Sequence, residues 1–204
     1  MTFEETRAAY EQGADDYLAM FPSVAATDPQ DRDLVQEWAS THTTGLILDV
    51  GCGPGHWTGW LHEQGFTVEG IDPVPTFIER ARRSYPDVRF RVGRAEALEV
   101  GTSELAGILA WYSLIHTDPD LLGDTLNEFS RAVYPGGGLC VGFFEGPEVV
   151  PFDHPVTEAY FWPMSHLADL IEQAGFAITS THSRHNPGGR THAVITARRR
   201  AEPH

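Results

Sequence analysis

With 204 residues, 41% of them hydrophobic, the chain is long enough for one well-buried α/β domain and too short for two. A formal charge of −15 argues against a nucleic-acid partner, because such binding rests on clustered cations that neutralise phosphates; the one basic run, Arg198-Arg199-Arg200, reads as a solvated tail. Two cysteines, Cys52 and Cys140, make no disulfide framework, no apolar stretch reaches the length of a membrane span, and the acidic start lacks a signal-peptide pattern, so a cytoplasmic monomer or homodimer without membrane partners is expected.

In chain order, Thr2 to Met20 has a helical pattern with Tyr10 and Tyr17 on one broad face, and Asp28 to Thr41 follows as a helix capped by Asp28 with Pro29 in its first turn. Residues 1–42 thus predict cap helices. Gly45 to Val50 is an apolar run suited to a buried parallel strand. After it come a helix (His56 to Gln64), a strand (Phe66 to Ile71), a helix (Thr76 to Tyr85) and a strand (Val88 to Val92). Ala106 to Trp111 predicts the fourth strand, Leu121 to Val133 a helix, and Gly138 to Phe144 a fifth strand entered through a turn at Pro135-Gly136-Gly137-Gly138. The segment 145–163, rich in prolines and aromatics, predicts a long loop that works as a substrate lid. Ser165 to Ala174 is a helix, Phe176 to Thr181 a strand and Thr191 to Ala197 a last strand. The alternation predicts a Rossmann-like, doubly wound α/β fold, a mostly parallel seven-stranded sheet with an antiparallel last strand, in a single domain over 1–204.

The glycine turn carries the chemistry. Gly51, Gly53 and Gly55 follow the first strand directly, and missing Cβ atoms let the backbone turn sharply and approach a ligand. Asp49 lies two positions before the first glycine, where a carboxylate repels a pyrophosphate and suits a cationic ligand. That disfavours a nicotinamide dinucleotide. Asp72, at the end of the second strand, stands where a ribose diol would be held.

The run Leu46-Ile47-Leu48-Asp49-Val50-Gly51-Cys52-Gly53-Pro54-Gly55 with Asp72 resembles motif I of the class I S-adenosylmethionine-dependent methyltransferases, and Trp111-Tyr112-Ser113-Leu114-Ile115-His116 is similar to a segment of small bacterial methyltransferases of that family, which implies a small-molecule methyltransferase. Arg131 to Gly138 and Ala174-Gly175-Phe176 look like two further elements of that family, so the resemblance spans most of the chain. It implies S-adenosylmethionine as cofactor and S-adenosylhomocysteine as product. Asp49, Gly51, Cys52, Gly53 and Gly55 would then face the methionine end, Asp72 the ribose and Pro73 the adenine. The family commonly places an acid after the third strand to bond the adenine amine, but Arg94 stands there, so the Ala95 amide or Glu96 takes over. Arg94 is left for stacking or a surface ion pair. Trp111 and Tyr112 fall where methionine contacts occur, with core packing as their alternative.

His116 follows the fourth strand on the crevice side and is the candidate general base; its alternative is a loop cap. Tyr10 and Tyr17 would cover the methyl site from the first helix, or pack on the sheet. His154, Tyr160, Trp162, Arg184, His185 and His192 are expected to line an acceptor pocket that is aromatic with one or two cations, suited to a flat or carboxylate-bearing metabolite. No spacing of His, Cys and carboxylates suits a metal. The resemblance implies methyl transfer to an oxygen or nitrogen of a small-molecule metabolite. The same scaffold also serves non-methylating cyclisation or rearrangement, and cofactor binding without catalysis.

Overall fold

A computed structural model describes residues 3–14, 23–42, 44–185 and 188–201. The apolar run after Gly45 becomes β1 (Ile47–Val50), every residue buried, as a strand covered on both faces requires. It is flanked in parallel by β2 (Val68–Asp72) and β4 (Leu105–Trp111), with β3 (Arg89–Val92) beyond β2 at the edge. On the other side come β5 (Val133–Glu145), β9 (Thr191–Arg199) and β8 (Phe176–His185), and the seven strands run in the order β3-β2-β1-β4-β5-β9-β8. Only β9 opposes its neighbours, pairing antiparallel with both β5 and β8. The chain leaves β1 toward β2 and returns on its other side at β4, so a crevice opens where the carboxyl ends of these strands part.

Helices cover both faces. The first, α1 (Phe3–Gln12), contributes no buried residue within its span. The second, α2 (Pro29–Ser40), starts as the capping rules require: Asp28 Oδ1 accepts from the Gln30 amide at 2.9 Å and proline opens the first turn. Its Val35, Trp38 and Ala39 pack on Ile47, Leu109 and Cys140. Helices α3 (His56–Glu63) and α4 (Pro75–Ser84) follow β1 and β2. Helix α5 (Leu122–Ala132) buries Leu122, Leu126 and Phe129 in a cluster with Leu139 and Val141, and α6 (Met164–Gln173) adds Leu167 and Ile171. Truncating a fully buried ring such as Phe129 to alanine would cost about 3–5 kcal/mol.

Three expectations change. Residues 145–163 are no irregular loop: β6 (Val150–Asp153) and β7 (Glu158–Phe161) form an antiparallel hairpin, with the Phe152 and Phe161 rings 4.2 Å apart. The fifth strand starts at Val133, so the glycine run lies inside it, where a register shift against β4 accommodates the left-handed Gly136 at φ 86°. Strand β8 runs on to His185 because β9 pairs with it along its whole length, through a shift at Ile178/Ser180. The first helix is described only from Phe3 to Gln12, and Tyr17 lies outside the described residues.

Candidate functional site

The turn after β1 is held open by the sheet itself. The amides of Gly51 and Cys52 both donate to the Ile71 carbonyl, at 2.8 and 2.9 Å, which folds the turn against β2. Gly51 has φ 73°, and a Cβ there would sit 2.3 Å from Cβ of Ser113, so this position admits only glycine. Gly55, also left-handed at φ 84°, is the N-cap of α3 and does not line the cavity; a Cβ there would meet the Phe90 ring at 2.8 Å. Its missing Cβ lets α3 pack against Phe90.

Around this turn opens a cavity of about 1130 Å³. Asp49, Gly51, Cys52, Gly53, Asp72 and Pro73 line it, together with Ala95, Glu96, Trp111 and Tyr112. Asp49 is 2% exposed; its Oδ2 accepts from the Thr58 hydroxyl at 2.6 Å, and burial followed by the charge of nearby Asp72 raises its pKa to about 7. Asp72 is 6% exposed and accepts from the Gly53 amide at 2.8 Å and the Val74 amide at 2.9 Å, and burial holds its pKa near 6. Neither acid has a basic partner among the described residues. Two buried carboxylates without a cation are costly, and they suit a ligand that brings positive charge and hydroxyl donors. Each carboxylate oxygen that accepts one amide keeps a second lone pair for such a donor. Burial pushes the Cys52 thiol well up, so it is a wall and no nucleophile.

On the opposite wall, His116 is fixed at both ring nitrogens. Its Nδ1 lies 2.7 Å from the Glu158 carbonyl on β7, and Nε2 lies 2.6 Å from the Tyr10 hydroxyl on α1. A carbonyl can only accept, so Nδ1 carries the proton and Nε2 accepts from Tyr10. Burial lowers the His116 pKa, with the Glu158 bond opposing, and the imidazole is neutral at neutral pH. His154, in the hairpin turn, packs edge-on to His116 at 5.1 Å. His192, expected at the acceptor pocket, and Phe144, which was not singled out although it lies at the end of β5 beside the crevice, continue this wall, whereas His185 does not line the cavity.

Tyr160 and Trp162 do not line the cavity. Trp162 is 2% exposed in the main core and its amide donates to the Phe144 carbonyl at 3.0 Å, while the Tyr160 hydroxyl reaches only its neighbour Glu158. Arg184 does line it, but as half of an ion pair: its two terminal nitrogens reach the carboxylate of Asp31 on α2 at 2.7 and 3.2 Å. Arg94 takes both roles left open for it. Its guanidinium stacks 3.7 Å above the Phe3 ring of α1 while pairing with Glu96. Arg94→Ala should therefore loosen α1, raising the rate of tryptic cleavage after Arg7 about two- to fivefold, the factor that an exposed cation–π contact supplies. An unchanged cleavage rate would show that the stack does not hold the helix.

Among the described residues no group of His, Cys, Asp and Glu could hold a metal ion, and no helix is long and apolar enough to cross a membrane.

A family model described as a methyltransferase domain matches residues 47–137, which run from β1 through the glycine run of β5. An uncharacterized methyltransferase of Synechocystis is 29% identical over 146 residues, covering 67% of this chain and 68% of its own. Mycobacterial relatives, also uncharacterized methyltransferases, match at 27% identity over 103 residues, and the chain spans only 41% of their length. Among solved structures, the Burkholderia thailandensis 1,6-didemethyltoxoflavin N1-methyltransferase, with its substrate and S-adenosylhomocysteine bound, superposes with a TM-score of 0.78 at 23% identity, over 98% of this chain and 92% of its own. The [4+2]-cyclase SpnF superposes with a TM-score of 0.79 at 18% identity, over 97% of both chains.

Proposed function

We propose that this chain is a class I S-adenosylmethionine-dependent methyltransferase, a reading supported by its match to a methyltransferase domain over residues 47–137 and its likeness to methyltransferases, and that it transfers methyl to an oxygen or nitrogen of a small molecule held in the same cavity. The carrying observation is a single cavity that joins the glycine turn and its two unpaired acids to a histidine held in one tautomer. Bound S-adenosylmethionine supplies an electrophilic methyl group. Asp49 would face its ammonium and sulfonium charges, Asp72 would accept from the ribose hydroxyls, and Ala95 and Glu96 would lie toward the adenine. Methyl transfer needs the acceptor in line and water excluded, and these are the tasks left to the residues that line the cavity.

The acceptor's proton leaves through Tyr10 and His116. The Tyr10 hydroxyl already donates to Nε2, so its oxygen can take a proton from the acceptor as it passes its own to the imidazole. The Nδ1–H to Glu158 bond orients the ring and stabilises the cation that forms.

Incubation with methyl-labelled S-adenosylmethionine and a panel of small heteroaromatic metabolites, read by mass spectrometry, tests the reading. Label appearing in an O- or N-methylated product, with equal S-adenosylhomocysteine, supports it. A rearranged product with the cofactor unconsumed would favour the second reading, a cofactor-binding cyclase, which the likeness to SpnF supports. Neither change across the panel would leave a binding module. In the same protein, Asp72→Ala should weaken S-adenosylhomocysteine binding by about 1.5–3 kcal/mol, the range for charge-assisted hydrogen bonds. Calorimetry showing unaltered affinity would remove Asp72 from the ribose site.

A further inference from the structure

Six rings run in contact along one side of the cavity. Tyr10 meets His116 at 5.3 Å, His116 meets His154 at 5.1 Å, and His154 meets Phe144 at 6.5 Å; Phe144 then packs on both His192 and Tyr112, at 5.2 and 4.8 Å. The wall is closed by a hydrogen bond of 2.5 Å between the Tyr112 hydroxyl and His192 Nδ1. Burial lowers the pKa of all three histidines, to about 4 for His154, so the wall carries no charge at neutral pH. A flat, neutral surface of this kind gains most from stacking against another flat ring.

The charges around it point the same way. All fourteen arginines of the chain lie among the described residues, and only Arg7 and Arg184 line the cavity. Arg7 pairs with Glu4 at 3.0 Å on the surface of α1. Arg184 stands opposite His192 in the β8–β9 register, beside the ring wall, where Asp31, 7% exposed, holds it from two sides and Asp28 lies 3.5 Å away. With Asp118 and Asp124 also on the lining, acids outnumber arginines and no unpaired arginine remains for an anionic acceptor. Bringing a carboxylate here would place like charges together in a half-desolvated space.

We propose that the acceptor is a planar, uncharged aromatic or heteroaromatic ring stacked on this wall, and that Asp31 sets this specificity by neutralising Arg184. The inference rests on the methyl-transfer reading above and narrows its substrate class. It excludes the carboxylate-bearing metabolites that Arg184 alone would suggest.

The test uses two matched pairs of probes, 4-hydroxyquinoline with its 2-carboxylate and 1-naphthol with 1-hydroxy-2-naphthoate. Binding is measured by ligand-observed NMR on protein saturated with S-adenosylhomocysteine. The uncharged member of each pair is expected to bind at least roughly tenfold more tightly than the carboxylate. In Asp31→Asn the gap should shrink several-fold, because one of the two charge contacts to Arg184 is lost. The wild-type ratio needs no variant and stands even if Asp31→Asn fails to fold. Carboxylates binding as well as their neutral partners would overturn the proposal, as would failure of both uncharged rings to bind. Rings that bind but take no methyl leave this inference standing and count against methyl transfer, whereas methylation of the carboxylated probes does the reverse.

Discussion

His116→Ala should lower the turnover rate about 10²- to 10⁴-fold, the range for losing a positioned general base, with S-adenosylmethionine affinity nearly unchanged. His116→Gln should do little better, since an amide can occupy the space and donate to Glu158 but cannot take a proton at neutral pH. The sign of the pH dependence follows from burial: the pKa of His116 is lowered, so the base form persists below the ordinary histidine range. The wild-type rate should therefore stay flat as pH falls through about 6.5, where an exposed histidine would already be half protonated. Tyr10→Phe removes the hydroxyl that bridges acceptor and imidazole and should reproduce part of the His116 loss. The measurement is a pH–rate profile of wild type and the three variants on one true acceptor. A rate within a few-fold of wild type for His116→Ala would show that positioning alone carries the reaction.

The second large effect concerns Asp49. Its folded-state pKa of about 7 lies above its ordinary value of 3.8, so the folded protein holds this proton to higher pH than the unfolded chain. Below about pH 4 both states are protonated and there is no penalty. Between about 4 and 7 the unfolded chain gives up the proton and the folded protein does not, so stability falls as pH rises, and the loss is complete above about 7. Three units would correspond to about 4 kcal/mol, an upper bound for a buried acid coupled to Asp72. Asp49→Asn mimics the protonated form, keeps an acceptor for Thr58 and removes the penalty. The melting temperature of ligand-free wild type should thus fall relative to this variant from pH 5 to pH 8. A cationic cofactor reverses the balance, and its binding should release protons and tighten over the same window. A flat difference between the two proteins across that range would mean that Asp49 is already ionised in the folded state.

Both effects depend on residues whose roles have different origins. The strand-turn-helix unit around Asp49 and Gly51, and Asp72 at the end of the next strand, are legible in the sequence because their causes are local. An apolar run buried on both faces, a turn that needs positive φ and a capping position act within a few residues. The helix capped by Asp28 is legible for the same reason, and so is the alternation of strands and helices that makes the sheet mostly parallel.

The ring-lined wall of the cavity has no such local cause. Tyr160 and Trp162 are as aromatic as Phe144 and His154, yet the first pair points away from the cavity. In a hairpin or strand, successive side chains face opposite sides, and a single step in register exchanges the two sets. Which set meets the cavity is decided by how the β6–β7 hairpin docks on β5, where the Trp162 amide finds the Phe144 carbonyl. Charge has the same dependence. Arg184 reads in sequence as a cation ready for a substrate carboxylate, and its neutralising partner Asp31 is 153 positions away. Arg94 finds the Phe3 ring and His116 finds Tyr10 only because α1 lies across the crevice. Conformational preferences of short segments were enough to fix the glycine turn and the kind of sheet that carries it. Which rings face the cavity and which charges remain unpaired depends on strand register and helix docking, because these bring distant residues within bonding distance.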